Sequence, residues 1–156
     1  MLIKSFNKIK DKDLKLYIIG EKNRNLNNIP TKEHKLNSDV IFTGRVSDQE
    51  LAELYSNAVC FVFPSLYEGF GIPPLEAMSC GCPIAVSNIA SLPEVCRDAA
   101  LYFDPLDMED IAAKILKVVQ NNDIKKTLIR KGFNQVKKYS WEKSANKLIN
   151  VINKMK

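Results

Sequence analysis

Glu68 and Glu76 are the residues whose type and spacing point most directly to chemistry. Between them run Gly69-Phe70-Gly71-Ile72-Pro73-Pro74-Leu75, and before them a short apolar run, Val59-Cys60-Phe61-Val62-Phe63, closed by Pro64 and Ser65. A continuous run rich in β-formers reads as a strand buried on both faces, as in a parallel sheet. Gly69 and Gly71 let the backbone turn sharply and approach a ligand closely. Pro73 and Pro74 suit a first helical turn, where a missing N–H costs little. The helix continues through Ser79, and Gly81 is placed to stop it. Strand, glycine loop and helix start together gather free N–H groups and the positive end of a helix dipole, which makes an anion site. Carboxylates alone would repel an anion. Two of them framing the loop suggest a ligand charged in its middle and rich in hydroxyls at both ends. A nucleotide sugar has that form, one Glu accepting from sugar hydroxyls and the other from ribose. The bland alternative is two solvated glutamates beside a loop kept for turning.

Several further elements must position this loop. Leu2, Ile3, Phe6 and Ile9 fall at helical spacing, and residues 11–13 end that helix. A strand is expected over 14–20, then a polar, Asn-rich loop over 21–39, then a strand over 40–44. Ser47 with Glu50 forms a capping-box signature, opening a helix whose stripe is Leu51, Leu54, Tyr55 and Ala58. After the central strand and helix come a strand over 83–87 and a short helix to about residue 98, where Ser91 with Glu94 again resembles a capping box. A strand over 100–104 follows. Asp107 caps a helix with core face Ile111, Ile115, Leu116 and Val119. A further helix covers 123–138, and Ser140 caps a last one carrying Trp141, Ala145, Leu148, Ile149 and Ile152. Alternating strands and helices at this spacing mean a doubly wound parallel sheet, an α/β Rossmann-like fold. Ligands of such sheets bind beyond the carboxyl ends of the strands. The expected organisation is a nucleotide-sugar-binding domain over 1–138, with the 139–156 helix packing back on it.

Bulk properties exclude much else. The 156 residues make one domain with room for a core. No apolar run is long enough to span a bilayer, and the start lacks the shape of a secretory signal. Cys60, Cys80, Cys82 and Cys96 lie in or beside expected buried elements and read as free thiols, with the cytoplasm as compartment. Cys80-Gly81-Cys82 is not a redox pair, and no second cluster completes a zinc site. His34 reads as a solvated loop residue. The net charge of +5 is carried mostly by scattered lysines. It allows weak peripheral attraction to an anionic membrane face. Nucleic acid is not an expected partner, since no recognition motif accompanies the charge. Neither G-x-G-x-x-G nor G-x-x-x-x-G-K-[ST] occurs after a strand.

The segment Glu68-Gly69-Phe70-Gly71-Ile72-Pro73-Pro74-Leu75-Glu76 resembles the E-x7-E motif of retaining GT-B glycosyltransferases of family 4, the group 1 glycosyl transferases. Val40-Ile41-Phe42-Thr43-Gly44, Ser91-Leu92-Pro93-Glu94-Val95 and the stretch from Ala99 to Pro105 are also similar to that family's carboxy-terminal, donor-binding domain. The resemblance implies hexosyl transfer with retention from a nucleotide-diphosphate sugar, with a lean toward a GDP-mannose donor. It implies no cofactor and no metal. It makes Glu68 the candidate catalytic residue, contacting hydroxyls of the donor sugar. The amides of Gly69, Phe70, Gly71 and Ile72 would approach the diphosphate, and Glu76 would hold the ribose with Leu75 packed nearby. Val46 would offer main-chain contacts to the base.

The departures from that family are equally specific. Its carboxy-terminal domain opens with a strand and a Gly-Arg…Lys-Gly segment that clamps the diphosphate. This sequence begins at the helix expected to follow, and Arg45, after a later strand, does not take the clamp role. In the order 3-2-1-4-5-6 the missing first strand is central. Two interior edges are then left unpaired, ~9.6 Å apart. The expectation is a fragment, inactive as an enzyme alone, whose amino-terminal GT-B domain is supplied by a separate chain. The alternatives are a non-catalytic binding module and a truncated remnant.

Overall fold

The computed structural model describes residues 1–11, 13–20 and 38–155. The polar stretch expected over 21–39 and His34 fall largely or wholly outside them. The elements run α1 (Leu2–Phe6), β1 (Leu16–Ile19), β2 (Val40–Gly44), α2 (Asp48–Asn57), β3 (Phe61–Phe63), α3 (Ile72–Ser79), β4 (Ile84–Ser87), α4 (Leu92–Cys96), β5 (Ala100–Phe103), α5 (Met108–Gln120), α6 (Asn122–Val136) and α7 (Trp141–Lys154). A 3-10 turn, Arg97–Ala99, joins α4 to β5.

All strand pairs between named strands are parallel, but they form two sheets: β1 with β2, and β3–β4–β5 in that order. Among the described residues the outer edges of β1 and β3 have no strand partner. These are the two edges that the sequence leaves unpaired. Both sheets nevertheless share a core. Leu16 and Val40 pack with Val62, Ala85 and Leu101 in one cluster, covered by Phe6 of α1 and by Ile111 and Ile115 of α5. On the opposite face Phe61, Phe63, Ile84, Val86 and Tyr102 belong to a second cluster with Tyr55, Met78, Leu92 and Val95. Side chains thus alternate between the two clusters along each strand of the larger sheet, the period of two that a pleated strand imposes.

The strand buried on both faces is β4, not β3. Every residue of β4 is buried, whereas Phe61, Val62 and Phe63 are only half-buried. The apolar run before the glycine loop pointed to β3, but its place at a sheet edge leaves one flank uncovered.

Caps follow the sequence closely. Ser47 and Glu50 make both halves of a capping box. Asp107 accepts from the amides of Glu109 and Asp110, and Ser140 from that of Lys143. On α5 the buried residues are Ile111, Ala112, Ile115 and Val118, with Leu116 and Val119 half-buried at the rim. Within 139–156, Tyr139 packs against the core, while no residue of α7 is buried. Its apolar residues, including Trp141, Leu148 and Ile152, are exposed.

Candidate functional site

β3 ends at Phe63, and Pro64 follows it. The Ser65 hydroxyl lies 2.9 Å from Oε1 of Glu68 and 3.0 Å from the Tyr67 carbonyl. Its one proton goes to the carboxylate at the shorter distance or to the turn that carries it. Glu68 is half-buried. The chain then rises through Gly69 and Phe70 to Gly71, the N-cap of α3, with φ 99° and ψ 60°. That left-handed conformation suits glycine. A β-carbon there would also stand 2.7 Å from Cδ2 of Leu92.

The amides of Gly69, Phe70, Gly71 and Ile72 donate no hydrogen bond among the described residues. Pro73 and Pro74 occupy the first turn of α3, so two of its usual free donors do not exist. The donors left are those of the loop itself. Glu76 follows one turn into α3 and is exposed. Its charge, after burial, helps push the Tyr55 hydroxyl up to about 12, so the carboxylate lies within electrostatic reach of that ring. Neither Glu68 nor Glu76 is in an ion pair among the described residues.

The loop is held from behind by α4. Ser91 stands at the N-cap position of α4, yet its side chain makes no capping bond. The capping box expected from Ser91 and Glu94 is not formed, because the hydroxyl points to the glycine loop. It lies 2.8 Å from the Phe70 carbonyl and 3.1 Å from that of Glu68. The Phe70 ring packs edge-on against Tyr139, with centroids 5.5 Å apart. The Tyr139 hydroxyl donates to the Val95 carbonyl near the end of α4 (3.3 Å), and buried Gln135 donates to the same oxygen at 2.6 Å.

Of the residues singled out from sequence, Glu68, Gly69, Phe70, Gly71 and Ile72 share one loop, with Leu75 and Glu76 on the helix it starts. Leu75 is half-buried against the core. Val46 lies past the carboxyl end of β2, half-buried, and no hydrogen bond or ring contact among the described residues joins it to the glycine loop. Sequence reasoning missed Ser65, Ser91 and Tyr139. Ser65 had a local signal, a hydroxyl three residues before a carboxylate in a turn. Ser91 had only its place in the Ser91–Val95 segment, which resembles the family but reads locally as a cap, and Tyr139 had no signal, since their partners lie 21 and 44 residues away. An open depression of about 540 Å³ elsewhere is lined by Lys8, Lys10, Asp11, Leu116 and Gln120. It offers cations but no set of free amides, and the loop is the better candidate on chemistry.

The same arrangement of strands and helices is seen in sucrose-phosphate synthase from Thermosynechococcus elongatus. The two superpose with a TM-score of 0.84 at 25% identity, over 98% of this chain and 41% of that one. The class is thus a GT-B glycosyltransferase fold. The family model for glycosyl transferases group 1 matches residues 1–135, and the chain belongs to that family. It is 47% identical over 109 residues to O-antigen chain mannosyltransferase B of Escherichia coli, covering 70% of this chain. It is 35% identical over 125 residues to MMP alpha-(1->4)-mannosyltransferase of Mycolicibacterium hassiacum, covering 75% of this chain. The chain spans only 29% and 30% of the length of those two proteins.

Proposed function

We propose that the 68–76 segment is the donor site of a retaining hexosyltransferase that uses a nucleotide-diphosphate sugar, with mannose as the sugar. The observation that carries this reading is the set of amides from Gly69 to Ile72 that donate to nothing among the described residues, flanked by two carboxylates that no cation among the described residues pairs with. The amides and the start of α3 receive the diphosphate, whose charge grows as the bond from the sugar C1 to the phosphate oxygen breaks. Glu68 accepts from sugar hydroxyls and Glu76 from ribose hydroxyls. The acceptor hydroxyl bonds to C1 on the face the diphosphate leaves, and its proton passes to the departing phosphate. The mannosyl lean is supported by the names of the two relatives, both mannosyltransferases.

In this reading the chain is one half of a two-domain enzyme that works on the cytoplasmic side of a membrane, with at most weak peripheral contact. Among the described residues no helix is long and apolar enough to cross a membrane. The acceptor site and the cations that clamp the diphosphate come from another polypeptide segment. Part of that segment runs as an extended strand between the open edges of β1 and β3. The chain alone binds donor but does not transfer it. No metal or other cofactor is required.

Calorimetry on the purified chain tests the reading. GDP-mannose is expected to bind, EDTA to leave the affinity unchanged, and Glu76→Ala to weaken it at least about tenfold, the scale of one charge-assisted hydrogen bond. Absence of binding for GDP-mannose, UDP-glucose and free GDP alike would overturn it.

A further inference from the structure

We infer that Ser91 is a positioning residue for the donor loop, and that α4 is the brace through which the rest of the fold sets that loop. The inference rests on the donor-site reading for its consequence, not for its geometry.

A serine at a helix N-cap ordinarily accepts from an amide of the first turn. Ser91 forgoes this: α4 has no side-chain cap. Its hydroxyl has one proton to donate, and the two acceptors in reach are the carbonyls of Phe70 and Glu68. Those carbonyls belong to the peptides that carry the amides of Gly71 and Gly69. Fixing a carbonyl fixes the plane of its peptide, because the peptide bond is flat. The Ser91 proton, at its shorter distance, holds the Phe70–Gly71 peptide and so sets the direction of the Gly71 amide, with the Glu68–Gly69 peptide as its alternative acceptor.

The next residue completes the grip. Leu92 is fully buried directly beneath Gly71, close enough that a β-carbon on Gly71 would collide with it. The far end of α4 is anchored through the Val95 carbonyl to Gln135 and Tyr139. Tyr139 also supports the Phe70 ring. Loop, α4 and the end of α6 thus form a closed loop of contacts. A glycine loop left to itself would lose its preset geometry to backbone freedom.

The test compares Ser91→Ala with Ser91→Thr in the full chain, which keeps the hydroxyl. Backbone 15N relaxation is expected to show the order parameters of Gly69 and Gly71 falling from about 0.85 toward 0.6 in Ser91→Ala and recovering in Ser91→Thr. Melting temperatures are expected to stay within about 3 °C, since the lost contact is only part-buried and exposed-site changes are small. GDP-mannose affinity falls about tenfold in Ser91→Ala and returns in Ser91→Thr. Unchanged order parameters at Gly69 and Gly71 in Ser91→Ala would overturn the inference. So would a rise in mobility that Ser91→Thr fails to reverse. If the wild-type chain binds no nucleotide sugar, the donor-site reading fails, while relaxation still decides whether Ser91 holds the loop.

Discussion

Gly71 carries two separate demands at one position. Its φ of 99° lies where side chains are strained, and its β-carbon would meet Leu92. Gly71→Ala is therefore expected to destabilise the chain by about 1–3 kcal/mol, read by urea denaturation, and to abolish donor binding through displacement of the loop. Glu68 offers a subtler case. Glu68→Gln keeps an oxygen for Ser65 to donate to but removes the charge. Stability should hold within about 0.5 kcal/mol, as for a substitution away from buried networks, while affinity for the nucleotide sugar falls. A parallel loss of stability would show that the carboxylate is structural. The resemblance of the motif to a known family made both residues visible from sequence. Their partners were not visible, because a hydroxyl such as that of Ser91 can accept at a cap or donate to a distant carbonyl, and the local sequence does not say which.

At the scale of elements, the open strand edges give a sharp expectation. Phe61 donates its amide to Pro83 beside β4. In a parallel ladder alternate residues face opposite neighbours, so the amide of Val62 points to the open edge. Leu16 likewise donates to Asp39 beside β2, which turns the amide of Tyr17 outward. Hydrogen exchange should find Val62 and Tyr17 fast while Ile84, Ala85 and Val86 are slow. Addition of the polypeptide proposed to run between these edges should protect both. Continued fast exchange in a complex would rule out insertion at these edges. The caps belong to this scale too. Ser47→Ala removes the acceptor for the Glu50 amide and should cost about 1 kcal/mol in thermal or chemical melts. These features were legible because a cap is written within four residues, whereas strand order is not.

The whole molecule titrates as its cores require. Burial pushes the Cys82 and Cys96 thiols up to about 12 and raises Cys60 further. Burial also raises the hydroxyls of Tyr55 and Tyr102. All five are neutral when protonated, so the folded state holds protons that the unfolded chain releases. Stability is then fully present below the unfolded thiol value of 9.0 and is lost as pH climbs toward about 12. Denaturation midpoints should stay level to about pH 9 and fall steadily above it. The buried thiols should resist alkylation at pH 8 until denaturant is added, in keeping with poor thiolate character. Rapid labelling of Cys96 in the native chain would contradict the packing around α4.

The sequence by itself determined the order of strands and helices, most of the caps, and the strand–glycine loop–helix unit with its two glutamates. Each is governed by backbone preference and side-chain period over a few residues, which local pattern records. Only the tertiary structure decided that β4 is the strand buried on both faces, that β1 and β3 present open edges, that α7 lies with no residue buried, and that Ser91 turns from its own helix to the glycine loop. Those outcomes depend on which distant segments meet, as Phe70 and Ser91 do across 21 residues and Val95 and Gln135 across 40. A short-range pattern leaves several such meetings equally satisfied, and packing around one shared core selects among them.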